Sequence, residues 1–120
     1  MAILALMVDG VAVSKFDLPV GETSIGRNTD NAVHIDDLAV SGKHACIKVS
    51  PDPYLEGTMR YQLEDLGSTN ATKLNSLKIS SQMLLKDGDN IQIGYNQFKF
   101  IDDQVPDFES TAVILPEDRE

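Results

Sequence analysis

Gly26-Arg27-Asn28-Thr29-Asp30-Asn31-Ala32-Val33-His34-Ile35-Asp36-Asp37-Leu38-Ala39-Val40-Ser41-Gly42-Lys43-His44 is the stretch that decides this chain. It leaves one β-like run, Thr23 to Ile25, and enters another, His44 to Ser50, with only the short apolar run Val33 to Ile35 between them. The remainder is turn chemistry. A guanidinium and a small hydroxyl therefore fall on two successive loops that can share one end of a sheet. A third loop, Asp65-Leu66-Gly67-Ser68-Thr69-Asn70, again follows a strand-like run.

The flanking sequence repeats that rhythm of short strand and turn, which predicts an all-β chain. Ala2 to Val8 and Val11 to Leu18 flank Asp9-Gly10, a two-residue hairpin signal because both residues tolerate positive φ. Ala45, Ile47 and Val49 alternate in the run entered at His44, and Met59, Tyr61 and Leu63 alternate in the next. Pro51-Asp52-Pro53 and Glu56-Gly57 make the loop between these two. Ala71 to Leu74 and Leu77 to Ile79 flank Asn75-Ser76; Leu84-Leu85 precedes Lys86-Asp87-Gly88-Asp89; Ile91 to Ile93 and Phe98 to Ile101 flank Gly94-Tyr95-Asn96. No window carries a helical period through these turns. Ten or eleven short strands predict a two-sheet β-sandwich, since one open sheet leaves too much apolar face wet.

At 120 residues the chain is long enough for one core. Its formal charge of −9 makes nucleic acid a poor partner. Residues 102–120 hold seven acids against Arg119, a net of −6, so residues 1–101 carry only −3. We therefore expect a domain over 1–101 and an acidic C-terminal tail over 102–120. The single Cys46 lies within Ala45-Cys46-Ile47, which excludes an intrachain disulfide and predicts a buried, inert thiol. Ala2 to Val8 is too short to cross a bilayer and has no basic start. A reducing, cytoplasmic setting without membrane association, metal or cofactor is the expectation.

Arg27 is the leading candidate for chemistry, because its rigid fork of donors matches phosphate oxygens and stays charged. Gly26 is expected to let the backbone turn sharply out of its strand. Ser41 adds a hydroxyl and Lys43 a point charge. Each feature alone has a plain alternative: a surface arginine, a capping serine, a solvated lysine, a turn at Gly67-Ser68-Thr69-Asn70. His44 is read as a satisfied, half-buried histidine rather than a base, and His34 is assigned no role.

In order and spacing, Gly26-Arg27, Ser41-x-x-His44, Gly67-Ser68-Thr69-Asn70 with Asn75, and Asp87-Gly88-Asp89 before Ile91-x-Ile93-Gly94 together resemble the forkhead-associated (FHA) family across residues 20–101. The resemblance implies an FHA/SMAD-like sandwich that binds phosphothreonine peptides and performs no catalysis. It implies that Arg27, Ser41, Gly42 and Thr69 hold the phosphate, and that Asn70 bonds the ligand main chain. It further implies that His44 braces the recognition loops and that Ala39 helps read the third residue after the phosphothreonine. The expected partner is a phosphothreonine-bearing protein within a Ser/Thr kinase pathway. Three positions depart from the family pattern. Gly42 replaces a usual polar or basic residue, and Ala71 and Ser76 replace usual glycines, at a cost of about 1 kcal/mol if either needs positive φ.

Glu109-Ser110-Thr111-Ala112-Val113-Ile114 places one threonine in the tail with isoleucine three residues on. Thr111 is a candidate phosphosite for an FHA surface, giving autoinhibition on its own chain or self-association through a neighbour. Two other classes stand beside this. One is a hydrolase built on Ser41, His44 and Asp65, against which speaks the absence of a Gly-x-Ser-x-Gly elbow. The other is a phospho-independent interaction sandwich with a weakened pocket.

Overall fold

Asp9 and Gly10, both at positive φ (52° and 79°), close the first hairpin of the chain, between β1 (Ala2–Val8) and β2 (Val11–Leu18). The structure, a computed structural model, describes residues 2–102. Nine further strands follow: β3 (Gly21–Gly26), β4 (Val33–His34), β5 (Ala45–Pro51), β6 (Met59–Asp65), β7 (Thr72–Leu74), β8 (Leu77–Lys78), β9 (Met83–Leu84), β10 (Asn90–Ile93) and β11 (Asn96–Asp102). Thr111 and the rest of the acidic tail after Asp102 lie outside the described residues.

The strands form a six-stranded sheet, β2-β1-β11-β10-β7-β8, and a five-stranded sheet, β4-β3-β5-β6-β9. This is the all-β sandwich that the strand-and-turn rhythm predicts. Between the sheets Leu4, Ile91, Ile93, Phe98 and Phe100 meet Ile25, Ile47 and Leu63, all buried. Each such side chain contributes about 1.5–3 kcal/mol by leaving water. Tyr61 and Phe100 join the sheets through rings 5.1 Å apart.

Register fixes where the loops emerge. Antiparallel pairing sets Ile25 opposite Ala45, and Ala45 opposite Asp65. The C-terminal end of β3, the N-terminal end of β5 and the C-terminal end of β6 therefore share one rim. β4 pairs parallel to β3, Ile25 with Val33 and Gly26 with His34, which its two residues alone could not reveal. The β10–β11 turn reaches the same rim, where Gly94 approaches Val40 and Ala39. Asp102, paired with Ala2, marks the opposite pole.

Candidate functional site

Gly26 lies where the loops cross. A Cβ there would stand 2.2 Å from the Gly42 carbonyl oxygen and 2.8 Å from the Asn31 amide nitrogen. Its φ is outside the positive region, so the glycine serves close approach rather than the sharp turn expected from the sequence. Around it the β4–β5 loop is laced to the end of β3. Arg27 N–H donates to Ser41 O (2.9 Å), Asn28 N–H to Gly42 O (3.2 Å), Ile35 N–H to Gly26 O (2.9 Å) and His44 N–H to Ile25 O (2.9 Å). Asn31, buried, donates through Nδ2 to Gly42 O at 2.7 Å and Asn28 O at 2.8 Å.

His44 is fully buried and spans two loops. Its Nδ1 accepts the Ser41 N–H at 3.1 Å, and its Nε2 lies 2.8 Å from the Ala71 carbonyl. A carbonyl only accepts and an N–H only donates, so this pairing assigns the neutral tautomer with the proton on Nε2. The Ser41 hydroxyl oxygen accepts the Thr69 N–H at 3.0 Å, and Asn70 Nδ2 donates to Ala39 O at 2.8 Å. Side chains thus tie the β6–β7 loop to the β4–β5 loop at three points, beside the backbone bond from Leu66 N–H to His44 O.

Asp65 shapes the third loop from inside. Its carboxylate accepts Gly67 N–H and Ser68 N–H at 3.0 and 3.1 Å, the Ser68 hydroxyl, and the Thr72 hydroxyl at 2.7 Å. Burial pushes its pKa up, but the hydrogen bonds from Ser68, Thr72 and the Gly67 backbone outweigh that and hold it below the usual carboxylate range. On the neighbouring loop Asp37 accepts from Ala39 N–H and from Asn96 Nδ2, fixing the β4–β5 loop to β11.

The Arg27 side chain is exposed at the rim, with no hydrogen bond or ion pair of its own among the described residues. It lines an open cleft with Asn28, Thr29, Asp30, His34 and Asp36. Lys43 is exposed and paired with Asp30 at 3.2 Å. The Ser41 hydroxyl, having accepted the Thr69 N–H, donates to no partner among the described residues. Among the described residues, Gly42 and Lys43 donate no backbone hydrogen bond, so two N–H groups stand beside that hydroxyl. Thr69 and Asn70 are exposed on the facing loop. The rim thus carries a cation on one loop and, outside the cleft that Arg27 lines, a hydroxyl and loop N–H groups on the next, donor types that suit a compact anion.

Asn75 does not belong to this rim. Its N–H donates to Asn90 O at 2.7 Å and its side chain bridges Asp89 and the Asn90 N–H, so it organises the β7–β8 turn toward the other end. Ala71 and Ser76 both adopt positive φ, 64° and 74°, in place of glycine. Asn31 and Asp37 escaped sequence reasoning, because their partners are defined only when the loops meet.

The geometry opposes the hydrolase reading. The histidine ring accepts Ser41's backbone N–H rather than its hydroxyl proton, and Asp65 is spent on its own loop. Cys46 is buried, and burial, followed by the nearby Glu64 charge, pushes its thiol pKa up, away from the thiolate. Among the described residues no helix is long and apolar enough to cross a membrane, and no group of three or more His, Cys, Asp or Glu is placed to hold a metal.

A rigid sandwich presenting three interlocked polar loops on one rim defines a loop-presenting β-sandwich. The family model of the FHA domain matches residues 23–94, and the chain belongs to that family. It is 37% identical over 90 residues to the glycogen accumulation regulator GarA of Mycolicibacterium smegmatis, covering 75% of this chain and 52% of that protein. The chain thus spans about half the length of that relative. A solved structure from a structural and functional analysis of phosphothreonine-dependent FHA domain interactions superposes with a TM-score of 0.70 at 30% identity, covering 84% of this chain and 95% of the other. Mycobacterium tuberculosis EmbR, solved in complex with a low-affinity phosphopeptide, superposes with a TM-score of 0.70 at 32% identity, covering 83% of this chain and 24% of that one.

Proposed function

We propose that this chain is a non-catalytic reader of phosphothreonine-bearing proteins. The observation that carries the reading is the Thr69 N–H to Ser41 Oγ bond, which occupies the serine oxygen as an acceptor and leaves its proton to donate, on the loop whose backbone pairs with Arg27. In this reading Arg27, Ser41, the N–H groups of Gly42 and Lys43, and Thr69 take the phosphate through charge-assisted hydrogen bonds. Asn70, exposed and braced on Ala39 O, reads peptide main chain, while Ala39 leaves room for an aliphatic side chain three residues on. Gly26 and His44 hold the loops, and Lys43 contributes less than a free cation because Asp30 already pairs with it. Membership of the FHA family and the phosphothreonine-dependent interactions of a structural relative support this function.

The module comprises residues 1–101, acts in the cytoplasm downstream of a Ser/Thr kinase, and uses no cofactor. Tail Thr111, once phosphorylated, is a candidate internal or neighbouring ligand, helped by an effective concentration of about a millimolar. Titration calorimetry with a phosphothreonine peptide and its unphosphorylated twin tests the reading. We expect measurable binding only of the former, and a loss of about 2–5 kcal/mol in Arg27→Ala. Equal affinity for both peptides, or an unchanged affinity in Arg27→Ala, would overturn it.

A further inference from the structure

The two sheets end side by side in β8 and β9, whose outer edges have no partner strand among the described residues. The apolar side chains there are exposed: Leu77 by 73%, Met83 by 43% and Leu84 by 57%. Two open grooves meet at Met83, Leu84 and Lys86, one running past Leu77 and Lys78, the other past Arg60. Arg60, Lys78 and Lys86 form no ion pair among the described residues. The two carboxylates of the grooves are occupied elsewhere. Asp89 is buried and accepts from Lys86 N–H and Asn75 Nδ2, and Asp52 accepts from the N–H groups of Tyr54 and Leu55. An apolar edge rimmed by three unspent cations calls for an apolar, acidic strip of chain.

The chain carries such a strip, starting beside the groove. Asp102 N–H donates to Asp87 Oδ1 at 2.9 Å, one residue from Lys86, so the tail leaves the body at the mouth of the groove. Residues 103–120 interleave Asp103, Asp107 and Glu109 with Val105 and Phe108, and then present Ala112-Val113-Ile114-Leu115. Extended chain advances about 3.3 Å per residue, so ten residues beyond Asp102 reach up to about 33 Å. Met83 and Leu84 lie two to three residues before Lys86, well inside that span. Tethering also gives the strip a local concentration of about a millimolar, so weak contacts suffice.

We infer that the acidic tail of this chain docks on its own β8–β9 edge. Phe108 and the Ala112–Leu115 run cover Leu77, Met83 and Leu84, and the carboxylates of residues 103–109 face Arg60, Lys78 and Lys86. The contact needs no phosphate and leaves the Arg27–Ser41 rim open, so it stands or falls separately from phosphothreonine binding.

The test is a nitroxide attached at Ser110→Cys in the full, unphosphorylated chain, with paramagnetic broadening of backbone amides read by NMR. Cys46 stays unlabelled because it is buried. We expect broadening at Leu77, Lys78, Met83 and Leu84 and little at Ser41 or Thr69, with severalfold weakening at high salt. Asp107→Lys with Glu109→Lys should abolish the pattern, as should Lys78→Glu with Lys86→Glu. Broadening spread evenly, confined to the Ser41 rim, or unchanged by either pair of reversals would overturn the inference. So would broadening that appears when spin-labelled, isotopically silent chains are mixed with unlabelled, isotopically visible ones.

Discussion

The hydroxyl oxygen of Ser41 and the backbone N–H of Thr69, 28 residues apart in sequence, are hydrogen-bonded at 3.0 Å. The bond locks the β6–β7 loop to the β4–β5 loop and leaves the serine proton free. Ser41→Ala removes both functions at once. Phosphopeptide affinity should fall by about 1.5–3 kcal/mol, the range for hydrogen bonds to charged groups. The melting temperature should move little, since the lost bond is at the surface. Calorimetry paired with thermal melts checks this, and Thr at position 41 should rescue most of the affinity.

Gly42 offers a gain of function. Its φ is not positive, and the nearest atoms a Cβ there would meet belong to the exposed Asn28 side chain, at 2.9 Å, which must swing aside. Gly42→Arg should therefore fold normally and supply a second guanidinium beside Arg27. Phosphopeptide affinity should rise severalfold at low salt, with the gain shrinking as salt is added. Titrations at two ionic strengths read this directly.

Gly26 and the pair Ala71 and Ser76 make opposite predictions. Gly26→Ala drives a Cβ into the Gly42 carbonyl and should destabilise by about 1–3 kcal/mol while weakening ligand binding. Ala71→Gly and Ser76→Gly relieve left-handed strain of about 1–2 kcal/mol, partly offset by the greater freedom of glycine in the unfolded chain. Each should stabilise by about 0.5–1 kcal/mol in urea melts, with Ala71 keeping its carbonyl bond to His44.

Asp65 sets an acid limit. Its folded pKa is depressed, so its contribution is fully present above the unfolded carboxylate value of about 3.9 and disappears as pH falls through the folded one. Stability followed by urea titration should fall more steeply below about pH 4 in the native chain than in Asp65→Asn. Asp65→Asn should also be less stable at neutral pH, since it cannot accept all four donors.

Much of the fold was open to reading along the chain. Asp9-Gly10 announced its hairpin, and the alternation of Met59, Tyr61 and Leu63 announced β6, because turn chemistry and a period of two are local properties. The parallel pairing of β4 was hidden, since two residues carry no period. Asn31 was hidden too: it reads as one more loop asparagine until a carbonyl 11 residues away arrives at its amide.

The residue types at the rim, the strand count and the order of the three loops were set by the sequence itself, through propensities that act over a few neighbours. Which donors remain free was decided only when the sheets paired. Registering Ile25 with Ala45 and Ala45 with Asp65 brings the loops together, and their mutual hydrogen bonds consume the N–H groups of Arg27, Ser41 and Thr69 while sparing the Arg27 side chain and the Ser41 proton. Hydrogen-bond partners at such separations have no local signature, because each is chosen by geometry that the whole sandwich imposes.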